Sequence, residues 1–418
     1  MRFTPVLMKH AEALIAELLR FSHPADSVVS LYFRHHRELG IKDRGFLAET
    51  AYAVLRHKRS LAARCFDSLT SRRLLLVALA CVQGLNLREL APVLSETESK
   101  WLAQAKGVKL DDLPDAVRFD LPDWLYEIWS QRFDAVFLEQ LAGSLNQSAP
   151  LDLRVNSLKA ERDAVLHRLQ ADGLAAETCR HSPLGIRLMD KASLARHPLF
   201  LDGSIEVQDE GSQLLGFLVQ PRRGEMVADF CAGAGGKTLQ LGAMMRSQGR
   251  LYAFDVAEKR LTRLKPRLAR SGLSNVHPVL ISTEHDIRVK RLAGKLDRVL
   301  VDAPCSGLGT LRRNPDLKWR QTPESIIELA AKQASILKAA ATLVKKGGRL
   351  VYATCSLLDQ ENENIVADFL TVSPEFVPLC AEELLERQGI GVETGERLRL
   401  LPHLHGTDGF FAAVMERQ

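Results

Sequence analysis

The N-terminal part of the chain carries apolar residues at helical spacing and little of the alternation that strands show. Thr4 followed by Pro5 is typical of a helix start, because threonine can cap free N–H groups and proline suits the first helical position. An amphipathic stripe follows, and similar periodicity runs through 46–61 and 74–82. We therefore predict a helical domain over residues 1–140. The stripe consists of Ala11, Leu14, Ile15, Leu18 and Leu19.

The pattern changes after a linker-like segment at 120–125. Residues 150–156 alternate between apolar and polar side chains, which predicts a strand. A helix over 161–172 follows and ends at Gly173, since glycine suits the left-handed turn that stops a helix. With short strands around Ile186 and Ile205, these elements predict a small α+β, RRM-like unit over residues 150–207.

Short apolar strands alternate with amphipathic helices from residue 208 to 418. This alternation predicts a mostly parallel α/β sheet with helices on both faces. Pro266 should kink or split the predicted helix 258–271, and Gly347 with Gly348 should turn the chain into a strand. The longest predicted helix covers 324–343. The predicted strands after the first, which begins at Val227, are 250–255, 278–282, 297–302, 349–354 and 410–415.

One strand–turn–helix segment, Val227–Thr238, organises this domain. Its glycines allow a sharp turn and a close approach of the backbone to a ligand. The helix behind the turn directs its free N–H groups and its positive dipole end at the same place. The spacing fits neither the phosphate-binding G-x-x-x-x-G-K-[ST] pattern nor G-x-G-x-x-G, so this segment alone indicates a ligand loop of unspecified type.

Asp255 ends the next predicted strand, where doubly wound folds place an acid that accepts hydrogen bonds from ribose hydroxyls. The alternative is that Asp255 caps the helix beginning near Ala257. The glycine loop upstream favours the ribose contact, and both roles are compatible.

Composition sets the broad limits. The chain has 418 residues, which predicts two or three domains, and 46% hydrophobic with 26% charged residues is ordinary for a globular protein. No apolar run is long enough to span a membrane, and Lys9, His10 and Glu12 interrupt any signal-peptide core. The seven cysteines are dispersed without a C-x-x-C pair, so neither disulfides nor a metal site is indicated, and we expect a cytoplasmic setting.

The net charge of +5 is mildly basic, and much of the excess falls between Arg34 and Arg73. Such an excess suits a surface that contacts a phosphate backbone, whereas solvated helix faces are the alternative for any one residue. This segment holds ten basic residues (34, 37, 42, 44, 56, 58, 59, 64, 72, 73) against four acids (38, 43, 49, 67).

Two strands of the predicted sheet end in a cysteine motif, Val301–Gly307 and Tyr352–Ser356. Ligands of open α/β sheets bind outside the carboxyl ends of the strands, so Cys305 and Cys355 should face the same crevice as the glycine loop. A single cysteine is usually a small buried hydrophobe. Two of them, each followed by serine and each at a strand end, indicate chemistry. Cys231 lies near the loop, where packing is the expected role.

These motifs resemble those of the RsmB/Sun family of RNA cytosine-C5 methyltransferases. The resemblance rests on Asp229–Thr238, Asp302–Gly307 and Thr354–Ser356, and it covers roughly residues 120–418. Upstream and downstream segments also match, namely Arg154–Lys159, Gln208–Ser212 and Arg312–Asp316. Asp43-Arg44 with Thr50–Arg56 resembles, more weakly, the NusB-like helical domain of bacterial members.

The resemblance implies a Rossmann-like, seven-stranded methyltransferase fold over residues 208–418 with S-adenosyl-L-methionine as cofactor. It assigns thiolate addition at cytosine C6 to Cys355, a part in product release to Cys305, and stabilisation of the N3 position to Asp302, protonated or sharing a proton. The positions that match the family's cofactor contacts are Cys231, Ala232, Gly233, Ala234, Gly235, Gly236, Lys237, Asp255, Asp286 and Asp302.

Two positions depart from the family pattern. Gly233-Ala234 replaces the usual Ala-Pro of the loop, while Gly235-Gly236-Lys237 is kept. The acid expected after the third strand falls in Ser282–Asp286, where Thr283, Glu284 and Asp286 are all candidates.

The expected partner is RNA with an exposed cytosine, because a stacked base cannot reach both thiols. Ribosomal RNA is the first choice and transfer RNA the alternative, bound by a monomeric enzyme. A non-catalytic RNA-binding assembly factor is a further alternative, although both cysteine motifs are intact. A DNA cytosine methyltransferase needs only the first motif, so Cys355 argues against it. The candidate phosphate contacts are Lys237, Arg312, Arg313, Lys318 and Arg320.

Overall fold

The computed structural model describes residues 3–66, 68–190 and 192–418 and divides into two compact units. One unit comprises the chain up to Ser148 together with Thr310–Pro323, and the other comprises Ala149–Gly309 together with Glu324–Gln418. We call them the helical unit and the catalytic unit. The segment 310–323, which the sequence-based boundaries placed with the catalytic domain, thus packs in the helical unit. Asp67, one of the acids counted above, lies outside the described residues.

The helical character predicted for the N-terminal region is confirmed. The first helix begins as expected, with the Thr4 hydroxyl accepting a hydrogen bond from the Leu7 N–H at 3.2 Å. The helices up to residue 148 are α1 (Pro5–Leu18), α2 (Ala25–His35), α3 (Ile41–Arg56), α4 (Lys58–Ala63), α5 (Ser71–Val77), α6 (Leu87–Leu90), α7 (Glu96–Gly107), α8 (Asp115–Arg118), α9 (Asp123–Arg132) and α10 (Ala135–Leu145).

The catalytic unit opens with a small antiparallel sheet in the order β2-β3-β1-β4. Leu153 pairs with Ile186 on one side and with Val207 on the other, so the central strand buries its apolar residues under the helix that follows it. Its elements are β1 (Leu151–Val155), α11 (Arg162–Ala171), β2 (Ala176–Thr178), β3 (Gly185–Leu188), α12 (Pro198–Leu201) and β4 (Ile205–Val207).

The remaining chain forms the predicted α/β sheet, with one strand more than the seven expected. Seven strands follow the order β10-β12-β9-β8-β5-β6-β7, and the short β11 is an eighth strand paired to β12. Strands β5 to β9 are parallel and the others antiparallel. The elements are α13 (Glu210–Val219), β5 (Met226–Asp229), α14 (Gly236–Met244), β6 (Arg250–Asp255), α15 (Glu258–Ser271), β7 (Val276–Leu280), α16 (Ile287–Lys290), β8 (Leu296–Asp302), α17 (Leu317–Arg320, in the helical unit), α18 (Pro323–Ala341), β9 (Val344–Thr354), α19 (Glu363–Val372), β10 (Phe376–Leu379), α20 (Ala381–Glu386), β11 (Leu398–Leu400), α21 (Pro402–His405) and β12 (Phe410–Arg417).

Two local predictions need correction. Helix α15 is not split at Pro266, although a kink there stays a prediction. The proline is exposed, so the backbone bond that it cannot make is missing on the solvent side. Strand β9 begins before Gly347 and Gly348 rather than after them. The two glycines lie in a register irregularity between β8 and β9, where Gly347 has a φ of +71°.

Side chains of the parallel strands alternate between two apolar layers. Val227 and Val351 face a layer formed with α13, α14 and α20, whereas Ala228 and Leu350 face a layer formed with α18 and α19. Because both faces are covered, polar groups of the central strands are free to meet only at the strand ends. Among the described residues, none of the helices combines the length and the apolar content that crossing a bilayer requires.

Candidate active site

The glycine loop between β5 and α14 adopts the conformations that glycine allows. Gly233 has a φ of +56° and Gly235 a φ of +84°. A Cβ at Gly235 would lie 2.2 Å from the Leu264 Cδ1 atom, so this glycine is needed for close packing against α15. A Cβ at Gly233 would meet nothing within 4 Å, which leaves space above the loop. The loop therefore presents its backbone, and the N-terminus of α14, to an open volume.

Asp255 fastens this loop to the end of β6. One carboxylate oxygen accepts from the Gly233 N–H at 2.8 Å, and the other accepts from the Ala257 N–H at 2.7 Å. The second bond closes a turn before α15, whose N-cap is Ala257, so Asp255 precedes the helix without capping it and that alternative is wrong. The carboxylate lies in the cleft with lone pairs left over, so its two bonds leave the ribose contact open.

Lys237 and Asp302 form an ion pair inside the cleft, with the Lys237 Nζ atom 2.7 Å from a carboxylate oxygen. Burial lowers the pKa of Lys237, but the Asp302 carboxylate outweighs this effect, and the net shift of the pKa is upward. The contact gives the ammonium a partner inside the cleft, which favours a role in this ion pair over the phosphate contact expected for Lys237.

The two thiols predicted to share a crevice do so. Cys305 and Cys355 follow the adjacent parallel strands β8 and β9, and their sulfur atoms are 3.4 Å apart. The hydrogen bond to Cys355 and then burial raise the pKa of Cys305 well above its usual value. Cys305 is therefore held as a neutral thiol beside the Cys355 sulfur.

A single cleft of about 710 Å³ at the carboxyl ends of the strands brings most of the predicted site together. Gly235 is outside its lining, since that residue packs against α15. The predicted residues that line the cleft are Cys231, Ala232, Gly233, Ala234, Gly236, Lys237, Asp255, Asp302, Cys305 and Cys355.

Asp286 does not line this cleft. Its carboxylate pairs with Arg288 at 2.9 Å and accepts from the Ser282 N–H at 3.0 Å, so it is occupied in capping α16. The side-chain bond from Arg288, followed by the backbone bond from Ser282, lowers the pKa of Asp286 strongly. Glu284, one of the alternatives at sequence level, does line the cleft.

Of the candidate phosphate contacts after the Cys305 motif, Lys318, Arg312 and Arg320 are reinterpreted, whereas Arg313 is half-buried and its role stays a prediction. Lys318 is buried in the helical unit, where its ammonium donates to the Arg56 carbonyl and to Asn146, both at 2.8 Å. Burial lowers its pKa to about 7. Arg312 is buried as well, and Arg320 pairs with Asp316 at 3.4 Å. A buried lysine whose ammonium is bonded to a backbone carbonyl and to a side-chain amide oxygen is a structural anchor rather than an RNA contact.

The basic excess of the N-terminal region is largely directed inward in the same way. Arg64, for example, donates to the carbonyls of Ala105 and Val108, and Arg73 donates to that of Cys65. Among the ten basic residues counted in the sequence, those that the structure shows as exposed are Arg34, Arg37 and Lys42.

Several cleft residues were not singled out from the sequence. Gln208 and Ser212 appeared only as part of an upstream motif, and Lys332 and Ile336 lie on α18 without any motif. Asp229 was quoted as the start of the loop motif, and the structure gives it a distinct feature. One of its oxygens accepts from the Thr238 hydroxyl at 2.7 Å, while the other is buried without a hydrogen-bond partner.

The family models match both parts of the catalytic unit. A model described as 16S rRNA methyltransferase RsmB/F matches residues 216–416. A second, described as the ferredoxin-like domain of RsmF/B-like methyltransferases, matches residues 121–195 and so begins before the small sheet.

Relatives extend the match to nearly the whole chain. A probable ribosomal RNA small subunit methyltransferase B from Synechocystis is 38% identical, covering 72% of this chain and 67% of its own length. A ribosomal RNA small subunit methyltransferase B from Pectobacterium carotovorum is 32% identical, covering 91% and 92%. The chain belongs to the RsmB/F methyltransferase family. A solved methyltransferase homologue from Pyrococcus horikoshii is 29% identical, covers 74% of this chain and all of its own, and superposes with a TM-score of 0.63.

As an RsmB/F protein, the chain is an S-adenosyl-L-methionine-dependent methyltransferase of ribosomal RNA. The geometry of the cleft also fits this cofactor, independently of the relatives. The open space at Gly233 gives room beside the loop backbone, and the unpartnered oxygen of Asp229 awaits a donor. Burial raises the pKa of Asp229 to about 7, although the hydrogen bond from Thr238 acts in the opposite direction.

Proposed function

We propose that this RsmB/F protein methylates C5 of a cytosine in 16S ribosomal RNA through a covalent adduct between Cys355 and C6 of the base. The observation that carries the proposal is the pair of thiols, 3.4 Å apart, in the same cleft as the glycine loop and the Lys237–Asp302 pair. Methylation at a base oxygen or nitrogen needs no nucleophile, so two adjoining thiols are best accounted for by chemistry at a carbon.

S-adenosyl-L-methionine supplies an electrophilic methyl group. The loop from Cys231 to Lys237, with Asp229 and Asp255, would hold it, and Asp255 would accept from ribose hydroxyls. Two site assignments change as a consequence of the geometry. We propose Glu284 in place of Asp286 for the contact after the third strand, and a supporting rather than a contacting role for Gly235.

Cys355 acts first in this mechanism. Its thiolate adds to C6, the C5=C6 double bond is lost, and negative charge develops toward N3. The Lys237–Asp302 pair provides the shared proton that N3 takes up. An electrostatic interaction with Cys355 also favours the charged form of Lys237.

Cys305 acts in product release. Once C5 carries the methyl group, S-adenosyl-L-homocysteine remains as the by-product and the C5 proton leaves to solvent. The C6–S bond then breaks, the C5=C6 double bond is restored, and N3 returns its proton to the Lys237–Asp302 pair. The departing Cys355 sulfur carries negative charge. The raised pKa of Cys305 keeps that residue a thiol at 3.4 Å, where it donates a hydrogen bond to the leaving group.

The roles of the two thiols can be distinguished by experiment with purified protein, S-adenosyl-L-methionine and 16S RNA. Cys305→Ala should accumulate a protein–RNA complex that survives denaturing electrophoresis, because addition and transfer proceed but elimination is slow. Cys355→Ala and the double variant should give no complex and no methylation. A complex in Cys355→Ala, or full activity in both single variants, would contradict these roles.

The RNA itself is identified by bisulfite sequencing of total RNA from cells with and without the protein. A cytosine in 16S RNA that loses its methyl group supports the proposal, which places a monomeric enzyme in the cytoplasm. Loss confined to transfer RNA would support the second substrate. If no cytosine changes, the protein acts as an RNA-binding assembly factor.

A further inference from the structure

Cys305 and Cys355 are each followed by a serine, and these two serines turn away from the cleft into the protein. Ser306 and Ser356 are both fully buried, and their hydroxyl oxygens lie 3.1 Å apart. The two chain segments that carry the thiols are thus joined a second time, behind the reactive sulfurs. The mechanism proposed above uses neither hydroxyl.

The Glu361 carboxylate lies between these two serines. One of its oxygens accepts from the Ser306 N–H at 2.8 Å and from the Gln333 amide at 2.9 Å. The other accepts from the hydroxyls of Ser306 and Ser356. A backbone N–H and an amide NH₂ can only donate, so the carboxylate oxygen that they contact acts as an acceptor. All four donors are uncharged, and the residue is fully buried.

Glu361 is itself held from several sides. Its backbone carbonyl accepts from the Tyr352 hydroxyl on β9 at 2.6 Å. Gln333 on α18 bridges it to the Pro304 carbonyl at 2.9 Å, immediately before Cys305. A carboxylate anchored in this way can fix two loops with respect to each other, because neither serine can move without losing a charge-assisted bond.

We propose that Glu361 is a positioning residue for methyl transfer, holding the serine that follows each cysteine and thereby fixing the distance between the Cys305 and Cys355 thiols. The link to catalysis rests on the proposed function, whereas the link to thiol geometry does not. Glu361 touches neither substrate nor cofactor in this scheme, and it acts only through the two loops.

The charge of Glu361 has a second consequence for the thiols. After the bond to Cys355 and burial, electrostatic repulsion from Cys355 and then from Glu361 contributes to the raised pKa of Cys305. The acid therefore favours the protonated state in which Cys305 serves as a hydrogen-bond donor. Neutralising Glu361 should lower the pKa of Cys305, whereas removing a serine should leave that repulsion in place.

Phenylarsine oxide tests the geometry without RNA or cofactor, because its arsenic atom binds two neighbouring thiols with loss of water. The holding role predicts tight binding of one equivalent to the wild-type protein, at least tenfold weaker binding to Glu361→Gln, and none to this site in Cys305→Ala or Cys355→Ala. Ser306→Ala and Ser356→Ala each remove one hydroxyl bond to Glu361 and should also weaken binding. They test the proposal if Glu361→Gln does not fold. Glu225 is a carboxylate bonded to Arg298 at the opposite end of the sheet. Glu225→Gln is therefore the matched control and should bind phenylarsine oxide as tightly as the wild type does.

Two further measurements separate positioning from general support. Glu361→Gln should lower kcat at least tenfold with little change in KM for S-adenosyl-L-methionine, and should shift alkylation of Cys305 by iodoacetamide, followed by mass spectrometry, to lower pH. Ser306→Ala should lower kcat without the pH shift.

Unchanged binding of phenylarsine oxide to folded Glu361→Gln would overturn the proposal. Weakened binding in an enzyme that methylates no cytosine would uphold the geometry and reject the proposed function instead.

Discussion

Two lysines, Lys237 largely buried in the catalytic unit and Lys318 fully buried in the helical unit, show how differently the protein uses positive charge. Lys237 in the catalytic cleft pairs with Asp302, and its pKa is raised although burial opposes the charge. Lys318 in the helical unit donates to the Arg56 carbonyl and the Asn146 amide oxygen, and burial lowers its pKa to about 7. Partner chemistry, rather than burial, decides which lysine remains charged.

The difference extends to the units as wholes. The cleft collects charged and nucleophilic groups at strand ends, where they face an open volume. The helical unit turns many of its basic side chains inward onto its own backbone carbonyls, as Arg64 does. The same residue type therefore supports reaction chemistry in one unit and stabilises loop structure in the other. A count of basic residues cannot distinguish these two uses.

The largest effect is expected for Lys237→Met. The substitution leaves Asp302 without its cation and removes the shared proton, so methyl transfer should fall by roughly a hundredfold to a thousandfold, or about 3–4 kcal/mol of transition-state stabilisation. Single-turnover assays with saturating S-adenosyl-L-methionine measure the change. Lys318→Met makes the same substitution outside the cleft and should retain activity within a few-fold at pH 7. Equal losses in the two variants would mean that the ion pair is structural.

An intermediate effect is expected for Lys318→Met on the free energy of unfolding and on its dependence on pH. The pKa of Lys318 is about 7 in the folded protein and roughly 10.4 when unfolded. The unfolded state then binds more protons between these values, so the free energy of unfolding rises with pH across this window. From pH 7 to 9 the wild type should gain about 1–3 kcal/mol more than Lys318→Met does.

Tryptophan fluorescence during urea unfolding measures this difference selectively. All four tryptophans of the chain (Trp101, Trp124, Trp129 and Trp319) belong to the helical unit. Identical pH profiles for the wild type and Lys318→Met would show that Lys318 remains charged in the folded protein, which would remove the contrast with Lys237.

The smallest effect concerns RNA binding by the helical unit. If its exposed basic residues contact phosphates, neutralising Arg34, Arg37 and Lys42 to Gln should reduce the slope of log affinity against log salt by about 2–3. Neutralising Lys290, Arg291 and Lys295, which are exposed near the start of β8, is the matched control. An unchanged slope would make the helical unit a packing or partner module.

Point substitutions are required for this test, because deleting the N-terminal region would disrupt a segment from elsewhere in the chain. Trp319 donates to the Leu55 carbonyl at 2.7 Å, and Lys318 donates to that of Arg56. A deletion of residues 1–140 would expose both side chains and confuse loss of RNA contacts with loss of structure.

The pattern of apolar residues was sufficient for much of the fold. Strand β6 occupies Arg250–Asp255 as predicted, and the α1 cap at Thr4 forms as its residue types indicate. These features depend on local periodicity and local hydrogen bonds, which sequence spacing records directly. At Pro266 the same reasoning allowed a split of the helix that does not occur, because an exposed position tolerates the missing backbone bond.

The sequence by itself determined which residue types reach the ends of the strands. The motifs around Cys305 and Cys355, together with the rule that ligands meet strand carboxyl ends, were enough to predict a shared crevice. Only the tertiary structure decided what each charged group touches. Asp286 caps a helix, Lys237 pairs with Asp302, and Lys318 anchors a distant segment. The physical reason is that hydrogen bonds and ion pairs depend on distances of a few ångströms between side chains far apart in the chain, which no periodic pattern encodes.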